Sequence, residues 1–536
     1  VSKPTPASQR SESQGAVEEV ASSALALERS VPSQRTPKGL PKIITSLCPE
    51  CLRRVEATIY EDNGKVLIRK SCPQHGEFRD MISSDARFYL KMEKWTFEDE
   101  EGIRNPNVKC ASACPETCGL CREHLATACQ LNIDLTNRCN LSCPWCFANA
   151  NSSGMLYEAT RDQVDLMLAT ARAVEPQRNK VIQYAGGEPT IHPDFFWACR
   201  RAKERGFTYV MAATNGLMFA KNAEFAERAR EAGLDALYLQ FDGMTDDIYM
   251  QTRGRPLAEV KFRAIENARR AGLRVILVPT LIKGINDHQV GDIIRFGLAN
   301  LDILNGISFQ PVSFTGRISS EERMERRYTL ADLAWAAKSQ TEFLEPYRDW
   351  YPLSFISPLS KLMERFNGKP TMTISCHSDC GVGAYVISDG NGTVVPITKF
   401  VDIESAMVDI SKMSKKVVPL LKRPIFFAQI YRSLRNNSLD VELPEDFKFF
   451  DFFGALAPTL FRRASGLGKK RKWRSLIILS MHFQDRYNFD LNRVRRCNIH
   501  YAAPNGRIYP FCTYNSGPEY RQAIEREFAR PMKGPR

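Results

Sequence analysis

The 536 residues predict an α/β fold. Its core is a partial (β/α)6 barrel, preceded by a small rubredoxin- or zinc-ribbon-like module and followed by a C-terminal α+β domain. Three observations carry this expectation. From Leu131 to about residue 315, short apolar runs alternate with segments of three- and four-residue apolar spacing. That is the pattern of consecutive βα units, with parallel strands and right-handed crossovers. Ahead of it two Cys-Pro knuckles flank a hairpin pattern, and behind it two separated cysteine pairs each stand against a turn signal.

Residues 1–40 are rich in Ser, Pro, Gln, Glu and Arg without apolar periodicity and read as disordered. Residues 41–80 place Cys48-Pro49-Glu50-Cys51 and Cys72-Pro73-Gln74-His75 on either side of a hairpin, with Ala57–Tyr60 and Val66–Arg69 as strands and Glu61-Asp62-Asn63-Gly64 as the turn. Cys48, Cys51, Cys72 and His75 close a tetrahedral site with no open position, so one zinc or iron ion held there is structural or electron-transferring. His75 is our choice of fourth ligand, with a cysteine from elsewhere as the alternative. Residues 81–130 form a linker. It contains Cys114, Cys118 and Cys121 in C-x3-C-x2-C spacing, which we read as an auxiliary [4Fe–4S] site closed by Cys129, with Cys110 as the rival. His124 reads as a surface residue or one that backs a ligand.

The barrel is expected over residues 131–320. Its strands are Leu131–Leu135, Val181–Ala185, Tyr209–Ala213, Ala236–Phe241, Arg274–Pro279 and Gly306–Gln310, and helices such as Arg161–Val174, Ala220–Ala232 and Leu257–Ala271 lie between them. Directly after the first strand comes Cys139-Asn140-Leu141-Ser142-Cys143-Pro144-Trp145-Cys146. Three thiolates at this spacing hold three irons of a [4Fe–4S] cluster and leave the fourth iron open for chemistry. The second strand ends in Tyr184-Ala185-Gly186-Gly187-Glu188-Pro189-Thr190, where glycines let the backbone approach a ligand closely. Later strand ends carry Thr214-Asn215-Gly216, Gln240, Asp242 and Gln310, polar groups that are costly to bury unless they meet a ligand.

Residues 321–536 contribute Cys376, Cys380, Cys497 and Cys512, which suit a second auxiliary cluster ligated entirely by protein. Each pair adjoins a hairpin signal, Asp389-Gly390-Asn391-Gly392 or Pro504-Asn505-Gly506. Between them lie Val417–Leu421, Lys422-Arg423-Pro424-Ile425-Phe426-Phe427 and Asp451–Leu456. A cationic run follows (Arg462, Arg463, Lys469, Lys470, Arg471, Lys472, Arg474), and it leads to Leu476–Leu479. Apolar side chains beside cations suit an anionic membrane surface; an ordinary basic loop and a nucleic-acid contact are the alternatives, and no RNA-binding module signature accompanies the run.

Sixteen cysteines against seven histidines in a long chain, mostly at C-x2-C and C-x3-C spacing, point to metal ligation in a reducing compartment. The net charge of +13 favours an anionic partner. No stretch approaches the length of a membrane span and the opening residues lack a signal peptide's apolar centre, so a cytoplasmic protein peripheral to the inner membrane surface is expected.

The Cys139/Cys143/Cys146 motif followed by Gly186-Gly187-Glu188-Pro189 resembles the radical S-adenosylmethionine (SAM) superfamily. The resemblance sharpens to one branch, the tetraether synthases and relatives labelled as hydroxymethyl-dihydropterin methyltransferases. It rests on Cys114-Pro115-Glu116-Thr117-Cys118-Gly119-Leu120-Cys121, Asp134-Leu135-Thr136-Asn137-Arg138-Cys139, Phe147-Ala148-Asn149-Ala150, Cys497-Asn498-Ile499-His500-Tyr501-Ala502 and Pro510-Phe511-Cys512. It implies that SAM binds the open iron, with adenine against Trp145, the methionine amino group at Tyr184–Glu188, ribose near Gln240 and Asp242, and the carboxylate at Arg253 or Arg255. It further implies a 5′-deoxyadenosyl radical that takes hydrogen from an unactivated carbon of a membrane phospholipid chain, which is then coupled to a second chain by a C–C bond. The electron comes from a reductant such as ferredoxin or flavodoxin. Two alternatives stand beside this: a radical SAM methyltransferase acting on a pterin or other heterocycle, and a non-catalytic iron–sulfur protein that binds nucleic acid or passes electrons.

Overall fold

A computed structural model describes residues 36–98, 102–108, 114–415 apart from 317 and 320, 423–441, 444, 447 and 472–531. Cys110, residues 417–422, Asp451–Leu456 and Arg462–Arg471 lie outside the described residues, as do the side chains of 423–427. Residues 38–536 group as one unit.

The N-terminal module is a four-stranded antiparallel sheet of β1 (Lys42–Leu47), β2 (Arg54–Asp62), β3 (Lys65–Cys72) and β4 (Gly76–Ser83) in sequential order. Asn63 and Gly64, both at positive φ, make the turn between β2 and β3, as the Asn-Gly pair dictates. Ile44, Ala57, Ile59, Val66 and Ile68 form its small core. Helix α1 (Ala86–Lys94), capped by the Asp85 carboxylate on the Phe88 N–H, leads out of it.

The six expected parallel strands are present as β5 (Gln130–Thr136), β6 (Val181–Gly186), β7 (Tyr209–Thr214), β8 (Ala236–Gln240), β9 (Arg274–Val278) and β10 (Leu304–Pro311). Their outward apolar residues pack against α2 (Arg161–Ala173), α3 (Phe195–Glu204), α4 (Ala223–Glu231), α6 (Ala258–Arg270) and α7 (Val290–Ala299), while Tyr249 of α5 (Asp246–Arg253) clusters with Leu141, Leu257 and Ala258. The single helix expected over 220–232 is instead a short turn, Leu217–Lys221, followed by α4. The break falls at Asn222, whose extended backbone and side chain cap α4 at Glu224.

The C-terminal residues correct the expectation of a separate α+β domain. Strand β11 (Gly381–Ser388) runs antiparallel to β13 (Arg474–Met481), and β13 is parallel to β10. At the opposite edge β14 (Ile499–Ala502) is parallel to β5 and forms a hairpin with β15 (Ile508–Pro510). A partial barrel exposes two rows of unpaired backbone groups, and these strands cover both. The hairpin partner of β11 is β12 (Val394–Pro396). Helices α8 (Leu330–Gln340), α9 (Ser357–Asn367), α10 (Ile403–Ser414) and α11 (Arg423–Asn436) complete this half, with α12 (Leu491–Arg495) and α13 (Tyr520–Phe528) near the end. Leu476 to Leu479, read from sequence as membrane-facing, lie within β13, where Leu476 and Ile478 are fully buried. Among the described residues no helix is long and apolar enough to cross a membrane.

Candidate functional site at the barrel mouth

The Cys139–Cys146 loop leaves the carboxyl end of β5, where α/β folds gather ligands. Asn151 holds it: its Oδ1 accepts from the Cys139 N–H at 2.9 Å, and its Nδ2 donates to the carbonyls of Cys139 and Leu141 at 2.9 and 3.1 Å. The Leu141 N–H donates to Cys139 Sγ and the Ala150 N–H to Cys146 Sγ, each at 3.4 Å. Asn215 Nδ2 stands 3.9 Å from Cys139 Sγ. Burial pushes the Cys139 thiol up to about 12 and raises Cys143 as well. All three thiols line one cavity. Such a donor set, with N–H groups aimed at sulfur, fits a [4Fe–4S] cluster whose charge draws the protons off.

Gly186 and Gly187 line the cavity, and their missing side chains serve a second purpose. A Cβ on Gly186 would meet the Thr136 carbonyl oxygen at 2.2 Å, and one on Gly187 the Arg138 carbonyl oxygen at 2.2 Å. They thus also let β6 approach the cysteine loop, a contact sealed by Gly187 N–H to Thr136 O (2.7 Å) and Glu188 N–H to Arg138 O (2.9 Å). Glu188 lines the cavity although it is nearly buried. Its Oε1 accepts from the Thr190 and Thr214 hydroxyls at 2.5 and 2.8 Å, and its Oε2 accepts from the Asn215 N–H at 2.8 Å. Burial raises the carboxyl nonetheless; a cationic amino group against it would reverse that shift. Trp145 also lines the cavity and is backed by Ile282, Ile285, Val312 and Phe314.

Three assigned SAM contacts are corrected. Tyr184 is fully buried on the helix side, its hydroxyl donating to the Ala198 carbonyl at 2.5 Å, so the strand alternation turns it away from the cavity. Asp242 is fully buried and bound twice by Arg253, Nε to Oδ2 at 2.5 Å and Nη2 to Oδ1 at 2.9 Å. It is thus closed to a ribose, and Arg253 is neutralised within the protein. Gln240 does line the cavity, its amide fixed by donation to Asp242 (2.5 Å) and by acceptance from Lys261 Nζ (2.7 Å). Lys261 escaped the sequence reading. It is fully buried, donates also to the Asn215 carbonyl at 2.6 Å, and burial lowers its ammonium to about 7.

The ribbon ligands converge as expected. His75 Nδ1 lies 3.6 Å from Cys48 Sγ and 3.5 Å from Cys72 Sγ, and Cys51 Sγ lies 3.8 Å from Cys72 Sγ. All four ligand atoms lie within 4.8 Å of one another, a fit for one ion. Cys114, Cys118 and Cys121 neighbour one another electrostatically. Cys129 does not close their set. Its thiol donates to the Thr373 carbonyl at 2.9 Å, it neighbours Cys376, and it lines the main cavity with Cys376, Cys380, Cys497 and Cys512. The reason is that Cys129 immediately precedes β5, which is bound to β14 beside Cys497. Buried Arg493 on α12 neighbours Cys380 and Cys512. His124 is buried, not a surface residue: its Nε2 lies 2.9 Å from the Cys497 carbonyl and 2.9 Å from His500 Nε2.

The cavity these groups share holds about 1120 Å³, above the usual range for small-molecule pockets. It extends from the three-cysteine loop along the inside of the sheet to Lys180 and Tyr209, at the opposite ends of the strands. On the β11–β13 side its wall is apolar: Tyr351, Phe355, Met407 and Ile410, with Ile430 and Leu434 of α11.

A sequence model of the radical SAM superfamily matches residues 133–297, and one described as the HMPTM N-terminal zinc ribbon domain matches residues 40–84. The 7,8-dihydro-6-hydroxymethylpterin dimethyltransferase of Methanocaldococcus jannaschii is 40% identical over 499 residues, covering 92% of this chain and 97% of that protein. A probable GTP 3′,8-cyclase of Pyrococcus horikoshii is 28% identical over 166 residues, 31% of this chain and 51% of the cyclase, so the match spans about half of that relative. Among solved structures, Streptococcus suis SuiB bound to S-adenosylmethionine aligns with TM-score 0.33 and 16% identity over 41% of this chain and 48% of SuiB. The chain belongs to the radical SAM superfamily and to the family of the M. jannaschii protein, which implies SAM and a [4Fe–4S] cluster as its cofactors.

Proposed function

We propose that this radical SAM enzyme acts on the saturated chains of membrane lipids and joins two of them by a C–C bond. The observation that carries the reading is the large cavity with its long apolar wall, opening on the three-cysteine loop. When bound, the cluster and SAM supply a 5′-deoxyadenosyl radical for one electron from a ferredoxin- or flavodoxin-class reductant, and each radical removes one hydrogen atom, so one coupling consumes two SAM. The protein's part is placement and exclusion of water. Cys139, Cys143 and Cys146 would hold three irons. Glu188 would receive the SAM amino group, Trp145 would back the adenine, and Gln240, held by Lys261, would meet the ribose. Tyr351, Phe355, Met407 and Ile410 pack along the chain, since no acid–base side chain removes a proton from a hydrocarbon and a radical must be shielded instead. Cys376, Cys380, Cys497 and Cys512 would hold an auxiliary cluster on the same cavity, and Cys114, Cys118 and Cys121 a further one. A lipid substrate also requires contact with a membrane surface.

A second reading is methyl transfer to a pterin, and the printed activity of the 40% identical M. jannaschii relative favours it over lipid coupling. One experiment separates the two. The anaerobically reconstituted full chain is assayed for 5′-deoxyadenosine with a phospholipid or with 7,8-dihydro-6-hydroxymethylpterin. Joined chains formed with lipid support the first reading. Methylated pterin together with S-adenosylhomocysteine, and no joined chains, would sink it in favour of the second.

A further inference from the structure

We propose that the inner wall of the barrel carries a neutral polar subsite, built by Asn132 on β5 and Gln183 on β6, for a substrate group that accepts one hydrogen bond and donates another. This rests on the reading that the cavity holds the substrate. The two residues are register partners on adjacent parallel strands, so their backbones lie about 4.8 Å apart. Strand alternation turns both side chains inward, because their neighbours Leu131, Ile133, Ile182 and Tyr184 fill the helix-side core. Both line the cavity, and they are only 1% and 6% exposed.

Asn132 Oδ1 accepts from Gln130 Nε2 at 3.1 Å, which fixes the amide with Nδ2 as the free donor. That Nδ2 and Gln183 Oε1 have no hydrogen-bond partner among the described residues. An unsatisfied buried donor or acceptor costs about 1–3 kcal/mol, so a donor and an acceptor side by side on a cavity wall are explained by an occupant. One hydroxyl meets both needs, its oxygen accepting from Asn132 and its proton donated to Gln183. The adjacent C=O and N–H of a lactam do the same. Neither side chain is charged, which selects a neutral group. In the lipid reading this is a free headgroup hydroxyl, since the chain-bearing glycerol carries two chains and the headgroup on its three oxygens; in the pterin reading it is the ring lactam.

The test is binding to the reconstituted full chain with SAM present. The probes are 1-O-hexadecylglycerol, its fully O-methylated analogue and 7,8-dihydro-6-hydroxymethylpterin. The wild type is expected to bind hexadecylglycerol about tenfold more tightly than the methylated analogue, and the preference should fall to about twofold or less in the Asn132→Leu/Gln183→Met double variant. Gln183→Met alone removes only the acceptor at similar volume, and is expected to lose preference in the same direction. Pterin binding that weakens in both variants also supports the subsite, with the lactam as its occupant. Hexadecylglycerol and its methylated analogue binding equally well, with pterin affinity unchanged in the variants, would mean that water fills the pair. That would overturn the subsite and leave chain binding intact. Failure of every probe to bind the wild type removes both the subsite and the substrate reading on which it rests.

Discussion

At the residue scale the site depends on buried charges that satisfy one another before any ligand arrives. Arg253 and Asp242 form such a pair behind Gln240. Asp242→Asn leaves a guanidinium buried opposite a neutral amide, and the expected loss is about 3–5 kcal/mol of stability, read from denaturant unfolding. Cys143→Ala should abolish 5′-deoxyadenosine formation; retained cleavage would place the SAM cluster elsewhere. Lys261 gives a pH signature. Burial lowers it to about 7 against the attraction of Asp242 and Glu188, with Arg253 opposing them. Between pH 7 and its ordinary range near 10.5, the unfolded chain therefore binds one more proton than the folded one at this side chain, and stability contributed by Lys261 rises with pH across that window. Lys261→Met should flatten the slope of unfolding free energy between pH 7 and 10; an unchanged slope would mean that Lys261 is not the group responsible. The thiols, the glycines and Glu188 were legible in the sequence because motif spacing is local. Tyr184 was misplaced because a motif fixes order along the chain and not the strand face, while its neighbour Gln183 was the polar residue turned inward.

At the element scale the strands were readable because each is an apolar run bounded by turn residues. The same property misled at Leu476–Leu479. Leu476 and Ile478 face the core while Ile477 and Leu479 line the apolar cavity, so the strand is continuously apolar, and with cations preceding it the sequence cannot separate it from a membrane-facing segment. Docking of the ribbon was not legible either. Arg327, fully buried just before α8, binds Asp80 of β4 and Asp485 at 2.6 Å each, three residues far apart in sequence. Arg327→Met leaves Asp485 without its guanidinium and Asp80 with Arg323 alone, and should destabilise the protein by about 3 kcal/mol. The effect should appear first as faster proteolysis between ribbon and barrel; unchanged proteolysis and unfolding would mean that its other contacts, such as Lys70 Nζ to the Arg486 carbonyl (2.7 Å) and Ser46 Oγ to the Phe489 carbonyl (2.5 Å), hold the ribbon without Arg327. Gly187→Ala forces the β6 end off the cysteine loop, so the expected result is fewer irons bound per chain with the ribbon metal retained. Full iron content in that variant would show that the loop yields without loss.

At the scale of the whole molecule, both edges of the barrel sheet are closed by strands from the last third of the chain. Cys129 therefore keeps company with Cys376 and Cys497 and not with Cys121, a pairing that sequence proximity hides. It also sets a timetable. The ribosome finishes β5 long before it makes β14, and at about 5–20 residues per second the gap amounts to roughly 20 to 70 seconds. Through that interval Cys139, Cys143 and Cys146 sit on a nascent chain whose β5 edge is uncapped and whose cavity has no far wall. Iron delivered early would meet an open, unwalled loop, so productive loading is expected on the completed chain.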